Sequence, residues 1–274
     1  MNDALDEYGL IGHPVAHSWS PFIHGVFARQ TGQAMTYRLH DVPAEQFEAY
    51  VLDFAARGGR GLNVTVPHKM AAARLARELT PRAQRAGAVN TLSFMGERLL
   101  GDNTDGAGLV RDLRDNLDVT VTRRRILICG AGGAARGAIG PLLELDPVEI
   151  VIAGRSLERA RALAADFAPL GPVLGCALDD LLLGHFDIVI NATSASLTGA
   201  VPAIPATVIE SAALCYDMAY ARGATAFVTW AREQGCPRAV QGWGMLIEQA
   251  AEAFELWRGI RPDTGPVRRL LLTA

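Results

Sequence analysis

The stretch that decides the fold is ILICGAGGAA, residues 126–135. Its first four residues are apolar and predict a short buried strand, which runs directly into glycine. Gly130, Gly132 and Ala135 then give the pattern G-x-G-x-x-A at the start of a predicted helix, the setting of a dinucleotide-binding turn. Such glycines let the backbone approach a pyrophosphate, which bare N–H groups and the positive end of the helix dipole bind. The stretch therefore predicts a Rossmann-type unit.

The end of the next predicted strand indicates which dinucleotide to expect. A strand at Val148–Ala153 is followed by Gly154-Arg155-Ser156, and Arg159 comes one helical turn later. An acidic residue at this place binds a free ribose 2′-hydroxyl, whereas arginine accommodates a 2′-phosphate. Two guanidiniums and a hydroxyl can surround such a phosphate, so we expect NADPH rather than NADH. The alternative is that both arginines are solvated residues at a helix start.

Strand-like and helix-like stretches alternate on both sides of this turn, which is typical of a parallel α/β architecture. The first half predicts strands at Tyr8–Ile11, Tyr37–Asp41 and Gly61–Val66, with helices near Pro21–Gln30 and Ala44–Arg57. The second half predicts strands at Ile126–Cys129, Val148–Ala153, Asp187–Asn191 and Leu214–Met218, with helices ending near Leu145 and covering Leu157–Phe167 and Gly244–Arg258. Pro141 should kink or shorten the helix that contains it.

The composition is that of an ordinary globular protein. Half of the 274 residues are hydrophobic, a fifth are charged, and the formal net charge is −3. This balance excludes a disordered chain and implies no nucleic-acid partner. The four cysteines share no metal-ligand spacing, so we expect reduced core residues. Neither a signal peptide nor a membrane-spanning run is visible, so we expect a cytoplasmic protein with no membrane partner.

Polar residues of the first half cluster at predicted strand ends, where an open α/β sheet places its ligand crevice. Ser18 and Ser20 flank a turn before a helix that starts with proline, and their hydroxyls can bind a carboxylate. The alternative is that Ser20 only caps the helix. Asn63 and Thr65 are expected on one face of the strand Gly61–Val66, where buried polar groups require partners.

Lys69 and Asp105 are the candidates for a proton-transfer pair. The stem of Lys69 can pack on apolar surface while its ammonium reaches the crevice, and Asp105 is its natural counter-charge. Taken alone, a lysine after a strand is more often solvated than catalytic. The two residues are far apart in sequence, so their proximity is a prediction. We expect structural roles for His17 and His68, because the pair already supplies a proton donor.

Several short motifs, spread over nearly the whole chain, belong together. In the first half they are Gly12-His13-Pro14, His17 to Pro21, Asn63 to Lys69, Gly87 to Thr91 and Asp102 to Gly106. In the second half they are Gly130 to Ala135, Asn191 to Ser194, Tyr216 to Tyr220, and Gly244-Met245-Leu246 with Gln249-Ala250. This set resembles the shikimate dehydrogenase family. The resemblance implies two α/β domains: a substrate-binding and catalytic domain, 1–105 with the returning C-terminal helix in 241–274, and an NADP-binding Rossmann domain, 106–240.

The resemblance also implies a reaction, the reversible reduction of 3-dehydroshikimate to shikimate with NADPH in aromatic amino acid biosynthesis, without a metal. Lys69 and Asp105 would be catalytic. The residues implied to bind the substrate are Ser18, Ser20 and Tyr220 for the ring carboxylate, and Asn63, Thr65, Asn90, Asp105 and Gln249 for hydroxyls. Those implied to bind the cofactor are Gly130, Ala131, Gly132, Gly133, Ala134, Arg155, Ser156, Arg159, Asn191, Thr193, Ser194, Met218 and Gly242.

Four positions depart from the residues that the family usually has, and none is Lys69 or Asp105. They are Gly25, Gly154, Ser196 and Trp243. One alternative function is that of a quinate/shikimate dehydrogenase of broader specificity. Another is that of a non-catalytic NADP-binding regulator, which loss of Lys69 or Asp105 would have marked. A monomer and a homodimer are both open.

Overall fold

The computed structural model describes residues 5–96, 98–183, 185–210 and 212–272. The chain divides into two compact units: unit 1 is Met1–Gly108 with Leu246–Ala274, and unit 2 is Leu109–Met245. The divisions lie a few residues after those expected at 105/106 and 240/241. The C-terminal segment thus belongs to the same unit as the N-terminal one.

Strands and helices alternate along both units. The strands are β1 (Asp6–Gly12), β2 (Met35–Asp41), β3 (Gly61–Val64), β4 (Glu78–Leu79), β5 (Thr91–Met95), β6 (Arg98–Asp102), β7 (Arg125–Cys129), β8 (Glu149–Gly154), β9 (Val173–Ala177), β10 (Ile188–Asn191), β11 (Leu214–Asp217) and β12 (Ala239–Gln241). The helices are α1 (Ser20–Thr31), α2 (Phe47–Ala56), α3 (Lys69–Leu75), α4 (Pro81–Ala86), α5 (Asp105–Arg111), α6 (Gly133–Leu143), α7 (Leu157–Phe167), α8 (Ala206–Glu210), α9 (Ala226–Glu233), α10 (Trp243–Arg258) and α11 (Gly265–Leu272).

Unit 1 is built on a mixed sheet in the order β2-β1-β3-β5-β6-β4. Strand β1 is parallel to β2 and β3, whereas β5 is antiparallel to both β3 and β6. The register sets Thr91 of β5 beside Asn63 of β3 and beside Asp102 of β6. Three polar positions therefore form a row across the sheet, and that row marks the site described below.

Helix α10 packs against unit 1 because of its apolar stripe. Ile247, Ala250, Ala251 and Phe254 recur at the spacing of one helix face, and all four are fully buried. They share a core with Phe27 and other residues of α1. The stripe fixes the opposite side of the helix, so that Gln249 points toward the polar row and its Oε1 lies 3.2 Å from the amide nitrogen of Asn90.

Unit 2 is built on an entirely parallel sheet in the order β9-β8-β7-β10-β11-β12. Counted within the unit, this order is 3-2-1-4-5-6, that of a Rossmann fold. Both faces are covered: Ile126 and Ile128 point into one apolar core, and Leu127 and Cys129 into the other. The carboxyl end of β7 thereby presents the glycine-rich turn at the edge where such sheets bind ligands.

Strand β3 ends at Val64, so the prediction of a strand through Val66 was wrong. Thr65 still donates its N–H to the Ile11 carbonyl (2.9 Å), but its own carbonyl accepts the N–H of His68 (2.9 Å) and closes a turn. A strand ladder cannot continue through that turn, and Thr65 therefore does not share a strand face with Asn63. Helix α6 contains Pro141 and ends at Leu143, before the predicted Leu145.

The four cysteines are free thiols, and three of them are buried. Burial raises the pKa of Cys129 to about 12, so this thiol stays protonated. Across the described ranges, no group of histidine, cysteine and acidic side chains has the arrangement of a metal site. None of the helices in the described part of the chain has the length and apolar character needed to span a membrane.

Candidate active site

Lys69 begins helix α3, directly after the turn that ends β3. It is the only lysine in the chain. The carbonyl of Lys69 accepts the N–H of Val89 (2.9 Å), which anchors the start of the helix to the segment before β5. Because the turn and helix start are held in this way, the lysine side chain leaves the end of the sheet in a defined direction.

Asp105 begins helix α5, and its side chain pairs with the ammonium of Lys69 as predicted from the two motifs. Oδ2 of Asp105 accepts from Nζ of Lys69. The lysine side chain is 14% exposed and the aspartate side chain 6%. An ion pair at this degree of burial fixes the direction of the ammonium, whose side chain remains partly accessible.

The second carboxylate oxygen of Asp105 is held by Asn90, whose amide nitrogen donates to Oδ1 at 2.9 Å. The same nitrogen lies 2.9 Å from Oγ1 of Thr104 and 3.2 Å from Oε1 of Gln249. On its other side, Oδ1 of Asn90 accepts the N–H of Thr104 at 2.8 Å and the hydroxyl of Thr91 at 2.9 Å. The network brings three predicted residues together and fixes the amide orientation of Asn90.

Asn63 lies next to this network and is buried. Its amide nitrogen donates to the Asn90 carbonyl (3.3 Å) and to Oγ1 of Thr91 (3.1 Å), while Oδ1 accepts the hydroxyl of Tyr37 (2.7 Å). The ring of His24 stacks on Tyr37 at 4.1 Å, and burial lowers the pKa of His24 to about 3, so that ring is neutral. Oδ1 of Asn63 keeps one lone pair for a ligand hydroxyl.

Ser18 and Ser20 lie together at the start of α1. The hydroxyl of Ser18 donates to that of Ser20 (3.1 Å) and accepts the N–H of Ser20 (3.2 Å). Helix α1 begins at Ser20 itself, Trp19 is the N-cap, and the helix has no side-chain cap. The alternative of Ser20 as a helix cap is therefore wrong, and its buried hydroxyl is available to a ligand.

His68 and His17, which adjoin the candidate residues Lys69 and Ser18 in the sequence, have different surroundings. His68 is buried, its Nε2 lies 2.7 Å from the Val42 carbonyl, and its ring stacks on Phe47 at 4.6 Å. These contacts support the predicted structural role of His68, because both the ring face and Nε2 are occupied. His17 is exposed.

In unit 2, the glycine-rich turn has the backbone geometry that a pyrophosphate requires. Gly130 has a φ of +108°, and a Cβ there would lie 3.1 Å from Cγ2 of Thr193. Gly132 is the N-cap of α6, and the space beside it is open to at least 4 Å. The first N–H groups of α6, from Gly133 and Ala134 onward, have no partner within a helix, so the turn with Ala131 offers the donors that an anion needs.

Arg155 and Arg159 follow β8 at the same edge of the sheet. Both are exposed, and neither has an ion-pair partner in the part of the chain that the structure describes. Ser156 between them accepts the N–H of Arg159 (3.3 Å) and so caps α7, while its hydroxyl hydrogen remains able to donate. Two unpaired guanidiniums and this hydroxyl fit a 2′-phosphate.

The turn after β10 is organised by Asn191. Its Oδ1 accepts from the N–H (3.1 Å) and the hydroxyl (2.7 Å) of Thr193. The next residue, Ser194, is exposed. The amide nitrogen of Asn191 donates to Asp217 (3.1 Å), a buried residue that sequence reasoning did not single out. Burial raises the pKa of Asp217, although Ser196 and other donors bind it. Asn191 therefore shapes the turn, and its side chain is already bonded within the protein.

The predicted residues near β11 and β12 also belong to unit 2. The N–H of Met218 bonds the Asn191 carbonyl, and that of Gly242 bonds the Ala219 carbonyl, both at 2.9 Å. A Cβ at Gly242 would lie 2.6 Å from the Met218 carbonyl oxygen, so only glycine fits. Tyr220 packs on Trp243, with ring centroids 4.6 Å apart. Tyr220 thus lies in a different unit from Ser18 and Ser20.

Comparison with known proteins shows the family to which the chain belongs. Residues 10–92 match the model of the shikimate dehydrogenase substrate binding domain, residues 113–212 that of shikimate/quinate 5-dehydrogenase, and residues 242–272 that of the shikimate 5′-dehydrogenase C-terminal domain. A shikimate dehydrogenase (NADP(+)) from Nitrosospira multiformis is 53% identical over 97% of both chains. The chain belongs to the shikimate dehydrogenase family.

Solved structures of similar proteins share the fold over nearly the full chain. The shikimate 5-dehydrogenase of Thermus thermophilus, determined with NADP(H) and shikimate, is 31% identical, with a TM-score of 0.86 over 98% of this chain and 99% of that one. An Ael1 enzyme from Pseudomonas putida is 46% identical, with a TM-score of 0.89 over 97% of this chain and 98% of that one. The predicted two-domain α/β fold of the shikimate dehydrogenase family is therefore confirmed.

Several residues of the candidate site were not singled out from the sequence. Thr91 and Thr104 complete the network of Asn90, and both lie within quoted motifs, so their presence beside candidate residues was the available signal. Tyr37 gave no signal, because a tyrosine in a strand usually indicates only packing. Its role becomes visible once the fold brings it to Asn63.

Proposed function

We propose that the protein catalyses the reversible reduction of 3-dehydroshikimate to shikimate with NADPH. The observation that carries the proposal is the ion pair of Lys69 and Asp105 at the end of a row of buried hydrogen-bonding residues. Such a row suits a ring with several hydroxyls, because each buried polar group needs a partner. The reaction belongs to aromatic amino acid biosynthesis. We place it in the cytoplasm, with the protein acting as a monomer or a homodimer.

Lys69 is the proton donor of the proposed reaction. When bound, NADPH supplies the hydride to the ketone carbon. As negative charge develops on the ketone oxygen, Nζ of Lys69 transfers a proton to it, and in the reverse direction the same nitrogen accepts the proton of the hydroxyl. Asp105 stabilises the ammonium and orients it, and Asn90 keeps the carboxylate from rotating.

Substrate binding is distributed over the polar residues of unit 1. Ser18 and Ser20 bind the ring carboxylate through hydroxyls that cap no helix. Asn63, Thr65, Asn90, Asp105 and Gln249 bind ring hydroxyls, and Tyr220 of unit 2 contributes a phenol to the carboxylate. Unit 1 is thus the substrate-binding and catalytic unit.

Unit 2 binds the cofactor in this proposal, because its residues suit each part of NADP. The residues 130–134 and the start of α6 bind the pyrophosphate. Arg155, Ser156 and Arg159 bind the 2′-phosphate, and unpaired cations at this place favour NADP over NAD. The turn at Asn191, Thr193 and Ser194, with Met218 and Gly242, lines the remainder of the site.

The test is the absorbance of the reduced nicotinamide with purified protein, offered shikimate or quinate with NADP⁺ or NAD⁺. Turnover of shikimate with NADP⁺ that clearly exceeds the other three combinations supports the proposal. Comparable turnover of quinate, or a preference for NAD⁺, replaces it with a quinate/shikimate dehydrogenase of broader specificity. No turnover in any combination refutes it and favours a non-catalytic NADP-binding protein.

A further inference from the structure

Arg82 of helix α4 connects two elements of the active site through a single guanidinium. Its Nε and Nη2 bond both carboxylate oxygens of Asp102, at the end of β6, at 2.7 and 2.6 Å. Its remaining nitrogen, Nη1, bonds Oε1 of Glu252 on α10 at 2.9 Å. The arginine side chain is 27% exposed and that of Asp102 only 2%. The planar fork therefore holds a strand end and a helix in fixed relation.

The contacts of Asp102 continue to the catalytic carboxylate. Oδ1 of Asp102 also accepts the N–H of Asn103 (2.7 Å) and the hydroxyl of Thr80 (2.5 Å). Oδ1 of Asn103 in turn accepts the N–H of Asp105 (3.2 Å), and its amide nitrogen donates to the Ala88 carbonyl (2.9 Å). Hydrogen bonds thus lead from Arg82 to Asp102 and on to the backbone of Asn103, and the side chain of Asn103 bonds the backbone of Asp105.

The contacts of Glu252 lead to the other side of the network. Glu252 lies three residues after Gln249 on the same helix, so the two occupy neighbouring positions on its surface. Arg261 bonds Oε2 of Glu252 (2.7 Å) and Oε2 of the buried Glu248 (3.2 Å). These bonds fix the rotation of α10 about its axis, and with it the position of Oε1 of Gln249 against Asn90.

The two carboxylates bound by Arg82 remain charged. Burial raises the pKa of Asp102, but the hydrogen bonds and the charge of Arg82 outweigh burial and hold that pKa below its ordinary value. The pKa of Glu252 is lowered in the same way, because Arg82 and Arg261 outweigh its burial. A lysine at position 82 would keep the charge but cannot make the planar, bidentate contact and the third bond together.

We propose that Arg82 is a positioning residue of the active site, which orients Asp105 through Asp102 and Gln249 through Glu252. The inference rests on the proposed function for its effect on turnover. It predicts that the two connections have different kinetic effects. Loss of the fork to Asp102 disturbs the Lys69–Asp105 pair and lowers kcat, whereas loss of the bond to Glu252 disturbs Gln249 and raises the KM for shikimate.

The kinetic test compares Arg82→Lys with Arg98→Lys. Arg98 makes the same kind of fork to Glu78, at 2.8 and 2.6 Å, but the pair is exposed and far along the strand from Asp102. We expect Arg82→Lys to lower kcat by about tenfold to a hundredfold, since small misplacements of reacting groups have effects of that size. The KM for NADP⁺ stays unchanged, and Arg98→Lys stays within about twofold of the wild type. Glu252→Gln should raise the KM for shikimate severalfold and leave kcat close to normal.

A spectroscopic test does not depend on turnover. Since Lys69 is the only lysine, wild-type protein grown with [13C]lysine gives one lysine Cε signal. Arg82→Lys and Arg98→Lys each add a second signal, and the signal of Lys69 is the one that disappears when Lys69→Arg is introduced into the same variant. In the wild type and in Arg98→Lys, the two Hε protons of Lys69 should be inequivalent because the ammonium is held by Asp105. In Arg82→Lys the Hε protons of Lys69 should move toward a single averaged signal, while Glu252→Gln leaves them separate. Circular dichroism at the same temperature verifies that each variant is folded.

The two tests keep the inference apart from the proposed function. If the wild type does not turn over shikimate, the proposed function fails, and the lysine signal alone decides the role of Arg82. A folded Arg82→Lys in which the signal of Lys69 is that of the wild type, or with a kcat no lower than that of Arg98→Lys, overturns the inference. A variant that only melts at a lower temperature, with unchanged kcat and KM, shows a purely structural role and also overturns it.

Discussion

Lys69 is the single lysine among twenty-six basic residues, and the others are all arginine. Arginine stays protonated in proteins, so it can bind anions and form surface ion pairs but cannot exchange a proton near neutral pH. A lysine can release and take up a proton where an arginine cannot. In this chain the lysine stands at the one place where the proposed reaction needs that transfer, next to Asp105.

Two substitutions of Lys69 distinguish the effect of its charge from that of its transferable proton. Lys69→Arg keeps a cation beside Asp105 but removes the transferable proton, so we expect kcat to fall by about 10²- to 10⁴-fold, with a smaller change in the KM for shikimate. Lys69→Met should lose kcat equally and bind shikimate more weakly. Steady-state kinetics with NADP⁺ measures both. A Lys69→Arg variant with near-normal kcat would show that only the charge matters.

His68 should contribute to stability and little to catalysis. In His68→Ala, the Val42 carbonyl loses its partner and Phe47 loses a stacked ring, which should lower the free energy of unfolding by about 1–3 kcal/mol. Urea denaturation gives that difference, and kcat per folded protein should stay within about threefold of the wild type. A loss of kcat comparable to that of Lys69→Met would instead assign His68 a part in proton transfer.

Arg155 should decide between NADP and NAD. Arg155→Ala removes charge-assisted hydrogen bonds to the 2′-phosphate, which are worth about 1.5–3 kcal/mol, so the KM for NADP⁺ should rise by about tenfold or more. The KM for NAD⁺ should not change. Arg161→Ala is the matched control, since it removes an exposed arginine from α7, the helix that follows Arg155. Equal effects on both cofactors would refute recognition of the phosphate.

At the level of elements, strands with strong apolar patterns were predicted well, and short or polar ones were not. The strands β7 and β10 follow from their buried runs, because parallel strands covered on both faces are nearly continuous in apolar residues. The strands β5 and β6 were missed: they form an antiparallel hairpin in a sheet expected to be parallel, and they carry Thr91 and Asp102 at buried positions. Polar residues at buried positions cancel the alternation on which such predictions depend.

The candidate site likewise contains residues that the sequence predicted and contacts that it did not. Motifs predicted which residues matter, and the pairing of Lys69 with Asp105 was inferred from chemistry. Thr65 was misplaced because a local turn begins there, closed by the bond from the His68 N–H to the Thr65 carbonyl, whereas the apolar residues on both sides of Thr65 continue the pattern of a strand. The bonds of Arg82 were invisible for a different reason, because they join segments 20 and 170 residues apart.

Helices α5 and α10 cross at a glycine, and that crossing should not tolerate a methyl group. A Cβ at Gly108 would lie 2.6 Å from the backbone nitrogen of Gln249. We expect Gly108→Ala to lower the free energy of unfolding by about 1–3 kcal/mol through overpacking and to raise the KM for shikimate by displacing Gln249. Gly25→Ala is the control, since the nearest atom to its Cβ would be 3.6 Å away. In α1 it should be neutral or slightly stabilising, and an equal loss in both would contradict the steric argument.

At the scale of the whole molecule, carboxyl groups of the two units have pKa values that are shifted in opposite directions. In unit 1, burial raises the pKa of Asp102 and Glu252, but their arginine partners outweigh it, and both pKa values lie below the ordinary range. In unit 2, burial raises the pKa of Asp217 and the hydrogen bonds that it accepts do not compensate. The charges that stabilise unit 1 are therefore ionised carboxylates, whereas unit 2 contains one that destabilises it.

The units should consequently respond differently to acid. A carboxyl group with a lowered folded pKa contributes stability above its unfolded pKa of about 4, and that stability is lost as the pH falls through the folded value. The raised pKa of Asp217 has the opposite effect on stability. Ionised Asp217 destabilises unit 2 at neutral pH, and this destabilisation disappears as the pH falls through the folded pKa of Asp217 toward its unfolded pKa of about 4. We expect hydrogen exchange, corrected for intrinsic rates, to show unit 1 losing protection before unit 2 below about pH 4. Asp102→Asn should flatten the pH dependence of unit 1 alone. Earlier loss of protection in unit 2 would contradict the assignment of these charges.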